Sequence, residues 1–505
     1  MKLHSNYYFT SFFWTTVSKI LNAVLSFLSI PVLMAHYGKE QYGVLSIAIA
    51  CNACMYVLDM GLNVGAVKFY AQWRAEGDLK RIERVARTNI SFYLLVSVVN
   101  VLLLMAIALF GTQYFAISEQ QVELLTTFML VLAGLSVMNW LGNVFYQLLV
   151  ANEQLGYAMK VQTLQAVLKI CLLLSIAWVD MSITTYFFLF TLLVAMALVP
   201  YALRCKRDAM LLNFKPALYL SDFKVVFGFS LSIFALSLLQ IISVQSRPLL
   251  LGMFAENGAT MVADYRIVEL IPNFLIVLCG MYASIFLPKI SAMMSHADMQ
   301  AVQNYANVWT LRTSVLACMI GGAIFLCAPE LIYAYLGSEE DTLAYWLALW
   351  IPAIIFQIHT TPGNAIVLAH GRTMPLILTT LVACMLSIPV NVVCLERFGV
   401  GAAVVSYYVY ILIVVVLLYV YYYDHVVRIK GGEIFQRFFL PTVGAMVSLL
   451  LCNLLFELFH PWMGFHNRWE SVGQIVVKTA TWVAVYFFVL KSFKIRNAFK
   501  ILREE

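Results

Sequence analysis

Residues 43–66 read GVLSIAIACNACMYVLDMGLNVGA. A bilayer hydrocarbon core about 30 Å thick is crossed by about 20 apolar residues in a helix, and this stretch is long and apolar enough. It nevertheless carries Asn52, Tyr56, Asp59 and Asn63 at intervals of four, three and four. Residues so spaced share one helix face, so this face is polar along its length. Such a face belongs against a lumen or a neighbouring helix, not lipid.

The stretch is typical of the chain in its apolarity. Of 505 residues, 62% are hydrophobic and 11% charged, with mean hydropathy +0.86; a soluble domain carries about 25% charged residues. The spacing predicts an all-α polytopic membrane protein with about fourteen transmembrane helices. The first seven fall near 12–34, 43–66, 90–111, 124–150, 161–179, 184–203 and 225–253. The second seven fall near 263–286, 310–328, 342–367, 374–395, 401–423, 438–458 and 473–490. The apolar run after Lys2 is too long for a signal peptide and lacks a small-residue cleavage pattern, so it is read as the first span.

Basic residues mark the side that stays cytoplasmic. With the N-terminus inside, Lys39, Arg397 and Arg468 are the basic residues on odd-numbered connections, whereas 68–87, 204–224 and 491–503 are rich in them. Both termini are expected in the cytoplasm. The formal charge of +6 is then a topology signal and a contact for anionic membrane lipids, not a nucleic-acid footprint.

Several function classes lack their residues. No connection exceeds roughly twenty residues, leaving little surface to hold a sugar donor. The chain has no Ser/His/Asp grouping, Walker-type glycine loop or HExxH, so it is not expected to be an enzyme. The ten cysteines are scattered, with Cys51 and Cys54 the one close pair, and read as apolar packing residues. No metal, cofactor or disulfide is expected. Without a nucleotide-binding domain, a secondary carrier is the natural class.

The functional residues are sought on polar stripes. Spans one (Ser11, Thr15, Lys19, Asn22, Ser26, Ser29), two, seven (Ser230, Ser237, Gln240, Ser243, Arg247) and eight (Arg266, Glu269, Asn273, Gly280, Ser284) stand out. Weaker stripes occupy span four (Ser136, Asn139, Asn143, Gln147), span five (Gln162, Gln165, Lys169) and span ten (Gln357, Thr360, Asn364). The prominence of spans one and two, then seven and eight, fits a tandem duplication of six spans.

Charges inside a span usually mark a pathway or a partner. Counting rise along each helix places Lys19 level with Asp59, and Arg247 level with Glu269, which predicts two ion pairs at opposite ends of a central cavity. Lys169 is mid-span, while Arg312 and Lys478 lie near span ends and are expected to snorkel. A lumen with cations Lys19, Arg247, Arg266 and Lys169 and a lining of Asn22, Ser26, Asn52, Tyr56, Asn63, Gln240, Ser243 and Asn273 suits an anionic head bearing hydroxyl-rich sugars. Asp59 and Glu269, for ion pairing or proton coupling, keep a proton- or sodium-coupled exporter of small cations as the alternative.

Short motifs carry a resemblance. They are Tyr37-Gly38-Lys39-Glu40-Gln41-Tyr42-Gly43, Asp59-Met60-Gly61-Leu62 leading to Lys68-Phe69-Tyr70-Ala71, Phe286-Leu287-Pro288-Lys289-Ile290-Ser291, Leu368-Ala369-His370-Gly371-Arg372 and Gly399-Val400-Gly401-Ala402-Ala403. In this order, with about fourteen spans, the chain resembles the polysaccharide transporters of the multidrug/oligosaccharidyl-lipid/polysaccharide (MOP, MATE-like) exporter superfamily, the Wzx-type flippases. The resemblance implies two six-helix bundles in an inverted V, at 1–203 and 225–423, joined by a cytoplasmic linker at 204–224. Two additional helices and a cytoplasmic tail would occupy 424–505. It implies movement of undecaprenyl-diphosphate-linked oligosaccharide, an O-antigen or other surface polysaccharide repeat unit of the lipopolysaccharide type, from the inner to the outer leaflet of a bacterial inner membrane. A polysaccharide polymerase and a chain-length regulator would be its working partners. The two trailing spans argue against the drug-exporting branch. The lipid II branch places several arginines in its first spans, whereas this chain has only Lys19 in span one, so a peptidoglycan precursor is the less expected cargo.

Overall fold

The computed structural model describes residues 2–59, 61–211, 213–280, 290, 293–294, 298–370, 374–458 and 467–492. Ser284, most of the 286–291 motif, Gly371-Arg372 and the basic tail past Ser492 lie outside the described residues. Among the described residues every regular element is a helix, and the chain divides into two compact units, Met1–Ala263 and Asp264–Glu505.

In the first unit, α1 is Lys2–Tyr37, α2 Lys39–Met55, α3 Leu62–Glu76, α4 Leu79–Ala106 and α5 Glu119–Ala151. Then come α6 Leu155–Ser175, α7 Ile183–Ala195, α8 Leu198–Arg207 and α9 Leu220–Phe254, and α10 Gly258–Gly280 runs across the boundary. Helix α5 is the axle, packed by α2, α3, α4, α7 and α8, while α1 lies along α6. Local sequence explains the starts. Ser118 and Gln121 form a reciprocal capping box before α5, Asp78 accepts from the Arg81 N–H before α4, and Ser182 from Thr185 before α7. Arg84 pairs with Asp222 at 2.8 Å, and Ser91 donates to the Ala217 carbonyl at 2.8 Å, strapping the 213–222 connection to α4.

In the second unit, α11 is Met299–Leu326, α12 Ala328–Leu336, α13 Asp341–Ile358, α14 Thr361–His370, α15 Met374–Phe398, α16 Gly401–Leu417, α17 Gly431–Leu458 and α18 Arg468–Ser492. Helix α11 packs on α13 and α17, and α18 closes over α11, α12 and α17.

Twelve helical segments among the described residues are long and apolar enough to cross a membrane, and they coincide with twelve of the fourteen expected spans. Position seven and the described part of position eight, to Gly280, are helical as well. Helix α9 contains the shorter apolar segment Leu238–Phe254, and α10 carries Asp264, Arg266 and Glu269, a high charge load for a spanning helix.

The second span departs from a continuous helix. Helix α2 ends at Met55, a 3-10 turn covers Tyr56–Asp59, and α3 begins after Gly61, whose φ of 69° is in the left-handed region that favours glycine. Span ten is similarly divided between α13 and α14, where Pro362 in the first turn of α14 cannot donate a backbone hydrogen bond.

Candidate functional site

The break in the second span borders a polar cavity inside the first unit. It encloses about 450 Å3 and is walled by Asn22 of α1, Asn52 of α2, Tyr56 of the 3-10 turn, Asn63 of α3 and Asn100 of α4. Helix α5 adds Ser136, Asn139, Trp140, Asn143 and Tyr146; α6 adds Gln162, Gln165 and Lys169; and α8 adds Tyr201. Lys169 is the one charged side chain in this wall, and no carboxylate lines it among the described residues.

The helical spacings explain the convergence. Ser136, Asn139 and Asn143 follow at three and four on α5, and Gln162, Gln165 and Lys169 at three and four on α6, so each set faces one way. These stripes, weaker than those of spans seven and eight by sequence, form two of the main walls. Gln165 also repairs the break between α7 and α8: its Nε2 donates to the Leu193 and Val194 carbonyls at 2.6 and 3.1 Å. Such carbonyls lose their helical partners where a helix is interrupted.

Other expected site residues lie elsewhere. Lys19 and Ser26 are exposed on α1 and are absent from the cavity wall. The expected Lys19–Asp59 pair does not form, and Lys19 has no ion pair among the described residues. Asp59 instead accepts from Tyr93 Oη at 2.6 Å and from the Asn63 N–H at 3.3 Å, so it secures the start of α3. Ser243 and Arg247 are buried on α9, whereas Gln240 of α9 and Asn273 of α10 are exposed. Glu269 was expected opposite Arg247. The cation it holds is Arg266 of its own helix, at 2.6 Å, and it also accepts from Tyr265 Oη at 2.8 Å. A partner one turn away needs no second element to bring it close.

A buried network beneath the cavity escaped the sequence reading. Gln147 Nε2 donates to Tyr93 Oη at 2.9 Å, and Asn89 Nδ2 lies 3.4 Å from Gln147 Oε1 and 2.7 Å from Tyr70 Oη. Asp59, Tyr93, Gln147, Asn89 and Tyr70 thereby tie the 3-10 turn, α4, α5 and α3 together. Asn100 also went unnoticed. The signal was present, because Asn89, Tyr93, Ser97 and Asn100 follow at four, four and three along α4.

Lys478 corrects the expectation of snorkelling. It is half-buried against the buried Glu330 of α12, with Nζ 2.5 Å from Oε1 and the two side chains 15% and 4% exposed. Arg312 lies 4.7 Å from the centre of the Trp309 ring.

Comparison with solved structures shows the same fold at low identity. The lipid II flippase MurJ in an inward closed conformation superposes with TM-score 0.72 and 11% identity over 95% of this chain and 98% of that one. An inward-facing multidrug-resistance MATE family transporter of the MOP superfamily gives TM-score 0.67 and 14% identity over 85% and 95%. A MOP superfamily transporter from Pyrococcus furiosus gives 0.52 and 14% over 80% and 94%. No curated protein sequence matches the chain. The family described as polysaccharide biosynthesis protein matches residues 9–294, more than half of the length, and this multi-pass membrane chain belongs to that family.

Proposed function

We propose that the chain is a flippase that carries polyprenyl-diphosphate-linked oligosaccharide, the repeat unit of an O-antigen or other surface polysaccharide, from the inner to the outer leaflet of a bacterial inner membrane. The observation that carries this reading is the amide-walled cavity with Lys169 as its single charge, in a chain of the polysaccharide biosynthesis family. Hydroxyl and amide groups replace the water lost by a sugar, and one ammonium in an otherwise uncharged wall attracts an anionic head. A cationic drug would meet repulsion from Lys169 and find no carboxylate in the wall. Arg247, buried on α9, and Arg266, paired with Glu269, are the candidate cations for the diphosphate. The cavity would open to each membrane face in turn, with both termini cytoplasmic, and would receive its cargo for a polysaccharide polymerase and a chain-length regulator.

The test is leaflet movement. Purified protein in liposomes, with a polyprenyl-diphosphate oligosaccharide on one face, should bring the glycan to the other, where a membrane-impermeant lectin detects it. Arg247→Ala and Lys169→Ala should each slow transfer by tenfold or more. No transfer by folded protein across several glycan heads would sink the proposal and transfer weight to the cation exporter.

A further inference from the structure

Asp59 and Glu269, the carboxylates expected to carry a proton, have their oxygens taken by Tyr93, Asn63, Tyr265 and Arg266. The histidine of span ten is placed differently. His359 stands at the break between α13 and α14, well inside the segment Asp341–Val367, and is 1% exposed. Neither its Nδ1 nor its Nε2 makes a hydrogen bond among the described residues. A neutral imidazole carries one donor and one acceptor, and a buried one normally finds partners for both. What faces this ring is aromatic surface and carbonyl oxygen. Phe438 of α17 and Tyr419 lie within 20° of parallel to it, with ring centres 3.8 and 5.7 Å away, and Phe356 stands edge-on at 6.2 Å. The Ile355 and Phe356 carbonyls, one turn back, act on the ring without hydrogen-bond geometry. Tyr419 and Tyr423, of the π-helical segment Leu418–Val427, are the titratable groups on the stacked side, and Tyr419 Oη is itself buried without a partner. Among the described residues no charged side chain of α11, α16 or α17 acts on the ring.

We propose that His359 is a proton-binding site that couples glycan transfer to a proton gradient. The coupling goes beyond the flippase reading and rests on it. An imidazolium has two donors and no acceptor, so carbonyl oxygens and aromatic faces suit it better than they suit the neutral ring. What the closed stack withholds is water, which a charge needs. The ring takes a proton from water on one face of the membrane when the stack opens, and returns it to water on the other before the stack re-forms. One N–H bond forms and breaks, and nothing else is consumed. The break supplies the movement. Pro362 cannot donate to the Ile358 carbonyl, which Thr361 Oγ1 takes instead at 2.7 Å, and Thr360 Oγ1 takes the Gln357 carbonyl at 2.6 Å. Hydroxyls on rotatable side chains thus stand in for helix bonds, and α14 can tilt on α13 without opening a further backbone bond. At Gly363 a Cβ would collide with Tyr423 Oη, so a tilt of α14 is passed directly to the segment that carries Tyr419. Two irregular helical segments meet at the one ring, and such irregularities recur at functional sites.

The experiment places the full chain in liposomes that enclose a pH-sensitive dye, with a polyprenyl-diphosphate oligosaccharide on one face. Reversing a one-unit pH difference across the membrane should change the initial rate of glycan transfer at least threefold, and adding the glycan should move protons that the dye records. His359→Gln, which keeps polarity without titrating, and His359→Phe, which keeps the ring stack, should abolish both effects. The exposed His36→Gln should keep them, and each variant is required to hold the parent unfolding midpoint. Transfer that ignores the pH difference, or a pH dependence that survives in the folded His359 variants, would overturn the coupling and spare the flippase. A second measurement needs no cargo. In nanodiscs, the 15N-histidine signal that His359→Gln removes should pass from neutral to imidazolium between pH 8 and pH 5; a ring that stays neutral throughout would overturn the site. Titration of His359 without any glycan transfer would keep the proton site and sink the flippase.

Discussion

Asp59 shows how a carboxylate is accommodated at membrane depth without a cation beside it. Its two oxygens are taken by a tyrosine hydroxyl and a backbone N–H, and the tyrosine is in turn held by Gln147. Tyr93→Phe removes one hydroxyl but strands two groups, the half-buried Asp59 Oδ1 and the buried Gln147 Nε2. Leaving a buried polar group unmade costs about 1–3 kcal/mol, and the loss should appear as a lower unfolding midpoint in detergent. Combining Tyr93→Phe with Asp59→Asn should give less than the sum of the single effects, since the partners share one network. Simple additivity would mean that water has replaced the hydroxyl. Depth counting along the sequence placed Asp59 and Lys19 at one level, but level is only one of three coordinates. Rotation about the helix axis, which composition does not report, leaves Lys19 on an exposed side of α1.

At the scale of elements, the contacts that join α18 to the rest of the second unit include those of Trp482 and Lys478. Trp482 Nε1 donates to the Met319 carbonyl at 2.7 Å, and a Cβ at Gly322 would collide with the Trp482 ring. Lys478 pairs with Glu330. Breaking a buried pair leaves an uncompensated charge, whereas replacing both members by apolar residues is often neutral or stabilising. Glu330→Ala should therefore destabilise the protein by about 3–5 kcal/mol, and Glu330→Met with Lys478→Met should recover most of it. Thermal unfolding of the two variants checks the order, and equal losses would show that the pair is not the anchor. Gly322→Leu should loosen α18 by displacing Trp482, measurable as faster proteolysis between α17 and α18. From sequence, Lys478 lies near a span end and is expected to snorkel, and no local signal pairs it with Glu330. Their meeting depends on α12 folding back against α18, and the two lie 148 residues apart in sequence.

For the whole molecule, orientation is open to direct measurement. In a Cys171→Ala background, Glu339→Cys should react with a membrane-impermeant maleimide on intact cells, and Lys215→Cys only after permeabilisation. Both positions are exposed, and they fall on the acidic and basic sides of the charge asymmetry. The opposite pattern would invert the topology and, with it, the proposed direction of transport.

What the sequence by itself determined is the helical, membrane-spanning class, most span positions and the polar stripes. These follow from local quantities: bilayer thickness sets the length of an apolar run, and 3.6 residues per turn sets the spacing of a face. What only the tertiary structure decided is which stripes meet. Asn22, Asn52, Asn139, Asn143, Gln165 and Lys169 come from four of the first six spans and share one cavity, whereas the stripe of α10 joins its own Arg266 to Glu269. A stripe records that a face avoids lipid, and a buried pair, a packing contact and a lumen all meet that demand equally. The choice among them is made by the rotation and packing partners of each helix, which are set by contacts between residues far apart in the chain.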